Sequence, residues 1–246
     1  MVGKKVTFIA AFVALVLSGL VSSSFFSFAA GSMGSKGLSL SNYKMPTTQG
    51  TNETVDNSEP KTEECPLNGE MLGRSLKDKW VTRRPLGIMV ENHTEARPQS
   101  GLSSADVVYE AVAEGGITRF LAVFYCHDAA FVGPVRSARI YFLRTIQGYG
   151  DHPLYAHVGG ANTDGPADAL GEIEDLGWAN YNDLNQFSVP FPNFWRDYER
   201  LPDRATEHTV YTSTSKLWDY AKTKRDLTNV DDKGVAWDAN FTPIVS

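Results

Sequence analysis

Three arginines and two histidines carry most of the chemistry legible in this chain. Arg136 and Arg139 stand three apart in GPVRSARIYFLRTIQGYG, residues 133–150. The pattern predicts a turn followed by a helix over 137–147, with both guanidinium groups on one face at its first turn. Cations there oppose the helix dipole, whereas helix N-termini receive anions. Two guanidinium forks in such a place would hold a phosphate, sulfate or carboxylate. The competing reading pairs each arginine with a protein carboxylate, and Glu110, Glu114 and Asp128 are nearby in sequence.

Arg119 adds to the pair. It follows the turn Glu114-Gly115-Gly116 and lies in ITRFLAVFYC, a stretch apolar on both strand faces. A cation buried there needs a partner. Either Glu114 supplies it, or the turn forms the rim of a pocket where glycines let a ligand approach the backbone. His157 ends an apolar run before Gly159-Gly160, the kind of strand end where α/β proteins place ligand groups. His208 sits among polar residues in RATEHTVYTS, ahead of a helical pattern. Both histidines could exchange protons near neutral pH. Each has a purely structural alternative, and sequence alone does not bring them together.

The rest of the inventory narrows the choices. There is no Gly-x-Ser-x-Gly elbow, P-loop, His-Glu-x-x-His helix or zinc-spaced Cys/His cluster. No cofactor and no metal are therefore expected, and no catalytic motif is recognised. A net charge of −6 argues against a general nucleic-acid binder. Cys65 and Cys126 are read as two buried or idle thiols rather than a bridge, because Cys126 ends an apolar run and Cys65 borders a linker. An oxidising compartment leaves a disulfide open.

The elements that must position these groups follow from periodicity. LGIMV (86–90), ADVVYEAVA (105–113), ITRFLAVFYC (117–126) and HPLYAHV (152–158) read as strands. The second and third form a hairpin across Glu114-Gly115-Gly116. The third, apolar on both faces, is expected to be covered on both sides. Besides the helix over 137–147, a second helix is expected in ADALGEIEDL, with Pro166 suited to its first position, and a third over 213–224. Residues 177–203 are aromatic and irregular. The class is α/β (α+β), a mixed sheet flanked by helices.

Ahead of this domain lie two segments of different character. Lys4 and Lys5 precede the uncharged run VTFIAAFVALVLSGLV, the form of an export signal. Residues 1–29 are read as a signal peptide, cleaved after Ala29, or as a retained membrane anchor. Either reading places the remainder outside the cytoplasm. Residues 30–64, rich in Ser, Thr, Gly and Asn, read as a flexible tether of about 30 Å if coil-like.

The segments RRPLGIMVENHTEARPQSGLSSADVVYEAVAEGGITRFLAVF, GPVRSARIYF and YAHVGG, with a late histidine before YTS, resemble the YerB-like family. These are bacterial extracytoplasmic proteins, often lipoproteins, of unknown biochemical function. The resemblance implies an N-terminal α/β domain, here 65–225, and a second, mostly β domain, of which 226–246 would be the truncated start. Many relatives carry a lipobox cysteine after the apolar run, and this chain has its first cysteine at Cys65.

Three functions are open. One is an envelope module binding an anionic small molecule or cell-wall polymer through Arg119, Arg136 and Arg139, with Glu114, His157 and His208 at the site. Another is a hydrolase on such polymers, using Glu114 or a histidine as base and the arginines against developing negative charge. The third is a protein-interaction module built on the aromatic segment 178–195. Oligomeric state is not legible.

Overall fold

Residues 58–150 and 152–230 are described by the structure, a computed structural model. In chain order the elements are β1 (Glu63–Glu64), β2 (Met71–Leu72), α1 (Arg74–Trp80), β3 (Leu86–Glu91), β4 (Val107–Glu114) and β5 (Ile117–Phe124). Then come α2 (Ile140–Gln147), β6 (Leu154–His157), α3 (Ala169–Asp175), β7 (Asp183–Asn185), β8 (Phe194–Arg196), β9 (Val210–Thr212) and α4 (Thr214–Arg225). Five strands form a mixed sheet in the order β4-β5-β3-β6-β7. β4, β5 and β3 are antiparallel neighbours, whereas β6 and β7 extend the sheet in parallel. The expected α/β class, hairpin and four main strands are therefore present.

Both faces of the inner strands β5, β3 and β6 are covered, which is why those strands read as nearly continuous apolar runs, whereas the edge strand β4 is largely exposed. On one face Met89, Leu121, Val123 and Tyr155 pack against Phe142, Leu143 and Ile146 of α2 and Ala169 and Ile173 of α3. On the other, Leu86, Ile88, Val90, Ala122, Phe124 and Ala156 meet Leu217, Trp218 and Ala221 of α4. Gly87 sits where α2 crosses β3. A Cβ there would come within 2.7 Å of Ile146 Cδ1 and 3.0 Å of Leu121 Cδ1. The missing side chain lets the helix approach the sheet.

Three local readings change. The helix expected over 137–147 begins only at Ile140, so Arg136 and Arg139 do not share a helical first turn. Arg139 is the residue before the helix, in extended backbone. The reason is tertiary: Val135 N–H donates to Val210, Arg136 N–H to Met89 and Ala138 N–H to Gly159, while Arg136 carbonyl accepts from Val158. These bonds stitch 135–138 between the ends of β3, β6 and β9, satisfying the backbone groups a helix would otherwise use. Helix α3 starts at Ala169 rather than at Pro166, because the Asp168 carboxylate caps Gly171 N–H at 2.9 Å. Cys65 and Cys126 are a disulfide, not two thiols, with Cα atoms 6.0 Å apart. The bridge joins the N-terminal segment to the residues just past β5, within a buried cluster of Leu72, Leu76, Trp80 and Tyr125.

Strand β1 falls in the stretch read as tether, held by pairing with β2 and by Lys77–Glu63. Past α4, Leu227 enters the core, and the carbonyls of Thr228 and Val230 accept from buried Arg84. Residues 231–246 and the N-terminal signal or anchor lie outside the described residues. No helix among the described residues is long and apolar enough to cross a membrane. In the aromatic segment Trp178 and Phe194 are core residues, leaving Phe187 and Phe191 exposed.

Candidate functional site

The carboxyl end of β3, the β4–β5 turn and the segment before β9 meet around a small cleft of about 150 Å³. Its walls include Glu91, His93, Glu114, Arg119, Arg136 and His208, with Glu207 at the edge. Antiparallel register places Glu91 of β3 directly opposite Arg119 of β5. The edge of this sheet face, past the last apolar layer, is where charged side chains can turn toward solvent.

Glu91 organises one half of the cleft. It is almost fully buried. One carboxylate oxygen accepts from Arg136 Nε at 3.1 Å, and the other bonds His208 Nδ1 at 2.8 Å. Burying a carboxylate in this way requires such donors on both oxygens. The His208 ring is stacked on His93, with centroids 5.2 Å apart and planes 5° from parallel. His93 Nδ1 in turn accepts from Glu95 N–H at 3.1 Å. His208 closes a 3-10 turn, Thr206–His208, whose Thr206 carbonyl accepts from Thr209 Oγ1 at 2.6 Å.

Glu114 organises the other half. Arg119 Nη2 donates to one of its oxygens at 2.8 Å, and Arg139 donates to the other. Arg119 also donates from Nη1 to the Ser137 carbonyl at 3.0 Å. Burial holds the Arg119 guanidinium below its ordinary value, and the like charge of Arg136 adds to this. Burial likewise lowers Arg139. Arg139 is tied to the rim through Glu114 but is not among the cleft's lining residues.

The internal-carboxylate reading thus describes all three arginines, Arg119 and Arg139 on Glu114 and Arg136 on Glu91. Arg136 differs in how it is held. Its Nε is anchored on Glu91, while its Nη2 has the exposed Glu207 carboxylate at 3.7 Å, beyond hydrogen-bonding distance. Counting Arg119, Arg136 and Arg139 against Glu91, Glu114 and Glu207, the site is formally neutral before its histidines are considered.

His157 is not part of this site, contrary to expectation. It is fully buried at the end of β6. Its Nδ1 bonds the Gly159 carbonyl at 2.7 Å and its Nε2 bonds Asp183 of β7 at 2.5 Å. Both ring nitrogens are occupied, one by a carbonyl two residues on and the other by a carboxylate of the adjacent strand, so the ring has nothing to offer a ligand. Sequence reasoning did not single out Glu91, His93 and Glu207 as site residues. Glu91 had a weak signal, a charge closing the apolar run LGIMV, but its function as partner of Arg136 and His208 rests on contacts spanning 45 and 117 residues.

Among the described residues, one group with metal-ligand geometry exists: Cys65, Asp106 and Cys126. The two sulfurs are bonded to each other, and Asp106 accepts from Cys126 N–H at 2.8 Å and bonds His127 Nδ1 at 2.7 Å. These groups form a structural knot.

Comparison with known proteins places this architecture. Over 157 residues the chain is 40% identical to "Putative lipoprotein YerB" of Bacillus subtilis (strain 168), covering 63% of this chain and 42% of that protein. The crystal structure of YerB protein from Bacillus subtilis superposes with a TM-score of 0.53 at 37% identity, covering 66% of this chain and 50% of that one. The chain thus spans about half or less of the length of the relatives it matches. Residues 72–228 match the family described as "Protein of unknown function (DUF3048) N-terminal domain". That match takes in the sheet, its helices and every cleft residue, so the protein belongs to the DUF3048 family, the YerB-like proteins whose motifs its sequence carries.

Proposed function

We propose that this protein is an extracytoplasmic, membrane-associated envelope module that binds an anionic group in the cleft around Arg136. The observation that carries this reading is the state of Arg136. Glu91 fixes its Nε and sets its direction, and Arg136 lines the cleft with its Nη2 3.7 Å from the exposed Glu207 carboxylate. Glu207 occupies the place an external carboxylate or phosphate would take, and being 57% exposed it is free to yield it. Anions of cell-wall or glycan components fit the site's chemistry, as a guanidinium fork binds either group in bidentate fashion.

The location is supported by the basic and apolar N-terminal run, by the lipoprotein name of the relative from Bacillus subtilis, and by the Cys65–Cys126 disulfide, which suits an oxidising compartment. The test is thermal stability of the 246-residue chain with phosphate, sulfate, succinate and cell-wall fragments. A ligand at a hundred times its Kd adds about 2.7 kcal/mol. Stabilisation present in the parent and lost in Arg136→Ala supports the reading. If none of these anions stabilises the parent, the anion site does not exist.

A further inference from the structure

The cleft holds more than a cation. Arg136 Nε donates to one oxygen of Glu91, and the other oxygen lies 2.8 Å from His208 Nδ1, placed to accept from the tautomer that carries its proton there. In the neutral ring Nε2 is then a lone pair. His208 lines the cleft, and because Nδ1 is taken by Glu91, Nε2 is the ring nitrogen left for a ligand there. The stacked His93 ring holds the plane of the imidazole. This is a base whose tautomer and direction are fixed by a buried carboxylate, beside a guanidinium that faces the same space.

We infer that the cleft is a hydrolytic centre for carboxylic esters that carry a neighbouring negative charge, with His208 as general base through Nε2 and Glu91 as its positioning residue. The inference rests on the anion reading of the same cleft. Thr118, the hydroxyl residue on its wall, already donates to Glu110 at 2.6 Å and accepts from Asn92 at 2.7 Å, so the nucleophile is water. As the water oxygen bonds to the acyl carbon, one of its protons passes to Nε2 and the carbonyl electron pair becomes an oxyanion. Arg136 holds the neighbouring negative charge of the substrate, and the positive charge of Arg119 on the cleft wall stabilises that oxyanion. Collapse of the oxyanion breaks the bond to the leaving oxygen, which takes the proton from Nε2. One water is consumed, and a carboxylic acid and an alcohol are formed. A monoanionic ester suits the site better than a phosphate dianion, because Glu91, Glu114 and Glu207 already balance the three arginines.

The experiment compares the 246-residue chain with an equal concentration of imidazole on p-nitrophenyl hemisuccinate, p-nitrophenyl acetate and p-nitrophenyl phosphate. We expect the hemisuccinate to be the preferred substrate by tenfold or more in kcat/KM, with a rate that rises as one group loses a proton. His208→Gln should lower it by about 100-fold or more. Glu91→Gln should lower kcat and displace the pH profile, a change that a merely structural loss would not give. Arg136→Ala should abolish the preference for the anionic ester. A parent chain no faster than imidazole overturns the inference without recourse to any variant. So does a folded His208→Gln that keeps the parent rate, or a preference for the phosphate ester. Succinate that stabilises the chain through Arg136 without ester turnover leaves the anion site standing and removes hydrolysis, whereas loss of both removes both readings.

Discussion

Two of the histidine–carboxylate pairs among the described residues join the end of a sheet strand, and they have opposite fates. His157 and Asp183 lie between parallel neighbours β6 and β7, sealed from solvent, with both imidazole nitrogens bonded. Glu91 and His208 meet at the other strand end, where the carboxylate is buried but one edge of the imidazole fronts a cleft. The residue types are the same. What differs is the second nitrogen: a backbone carbonyl claims it in the first pair, whereas in the second it belongs to a ring that lines a cleft. A polar pair becomes a site only where the architecture leaves one of its valences unspent.

The sharpest way to break this contrast is to remove one partner from each pair. Asp183→Ala strands the buried His157 and should cost about 3–5 kcal/mol of stability by urea unfolding, without changing the affinity of whatever anion the cleft takes. Glu91→Ala should also destabilise, but it should additionally weaken anion binding, because Arg136 and His208 lose their common anchor. If Asp183→Ala abolishes anion binding in protein that remains folded, the division between a structural and a functional pair fails.

Reducing the disulfide tests a part of the molecule remote from both pairs. A bridge between residues 61 apart should contribute about 4 kcal/mol in the chain-entropy account, so Cys65→Ser with Cys126→Ser should lower the midpoint of urea unfolding while leaving the cleft's ligand response intact. Gly87→Ala should cost about 1–3 kcal/mol by overpacking, because its methyl would meet Ile146 and Leu121. It touches the scaffold under both pairs and should affect stability alone.

Smaller effects sharpen the functional side. Glu207→Ala should barely move stability, since its carboxylate is exposed, yet it should tighten anion binding by removing the internal competitor for Arg136. A third histidine–carboxylate contact supplies a pH test. Its hydrogen bond to Asp106 is the main cause that raises the His127 pKa above the ordinary 6.5. A raised folded value means that the stabilisation is present in full below the unfolded value and is lost as pH rises through the folded one. The stability difference between the parent and His127→Gln should therefore be largest below about pH 6.5 and decline above it, as read from urea midpoints across the pH range.

Four of the five sheet strands, the hairpin, helix α4 and the family were legible in the chain because period, turn residues and long motifs are local properties. The grouping of Arg119 with Glu114 was legible for the same reason, as five residues across a two-glycine turn leave few alternatives. Arg136, Arg139 and His157 were misplaced by reading local spacing alone. The helical face shared by the two arginines vanished when tertiary hydrogen bonds claimed residues 135–138, and His157 was taken inward by Asp183, a partner in a strand the sequence did not reveal. Cys65 and Cys126 became a bridge because folding brought their Cα atoms within 6.0 Å. Sequence by itself determined which segments are apolar enough to form this two-sided sheet and which residues carry charge. Only the tertiary structure decided which charges neutralise one another and which histidine lines a cleft, because those outcomes depend on pairing free energies between groups that sequence distance does not encode.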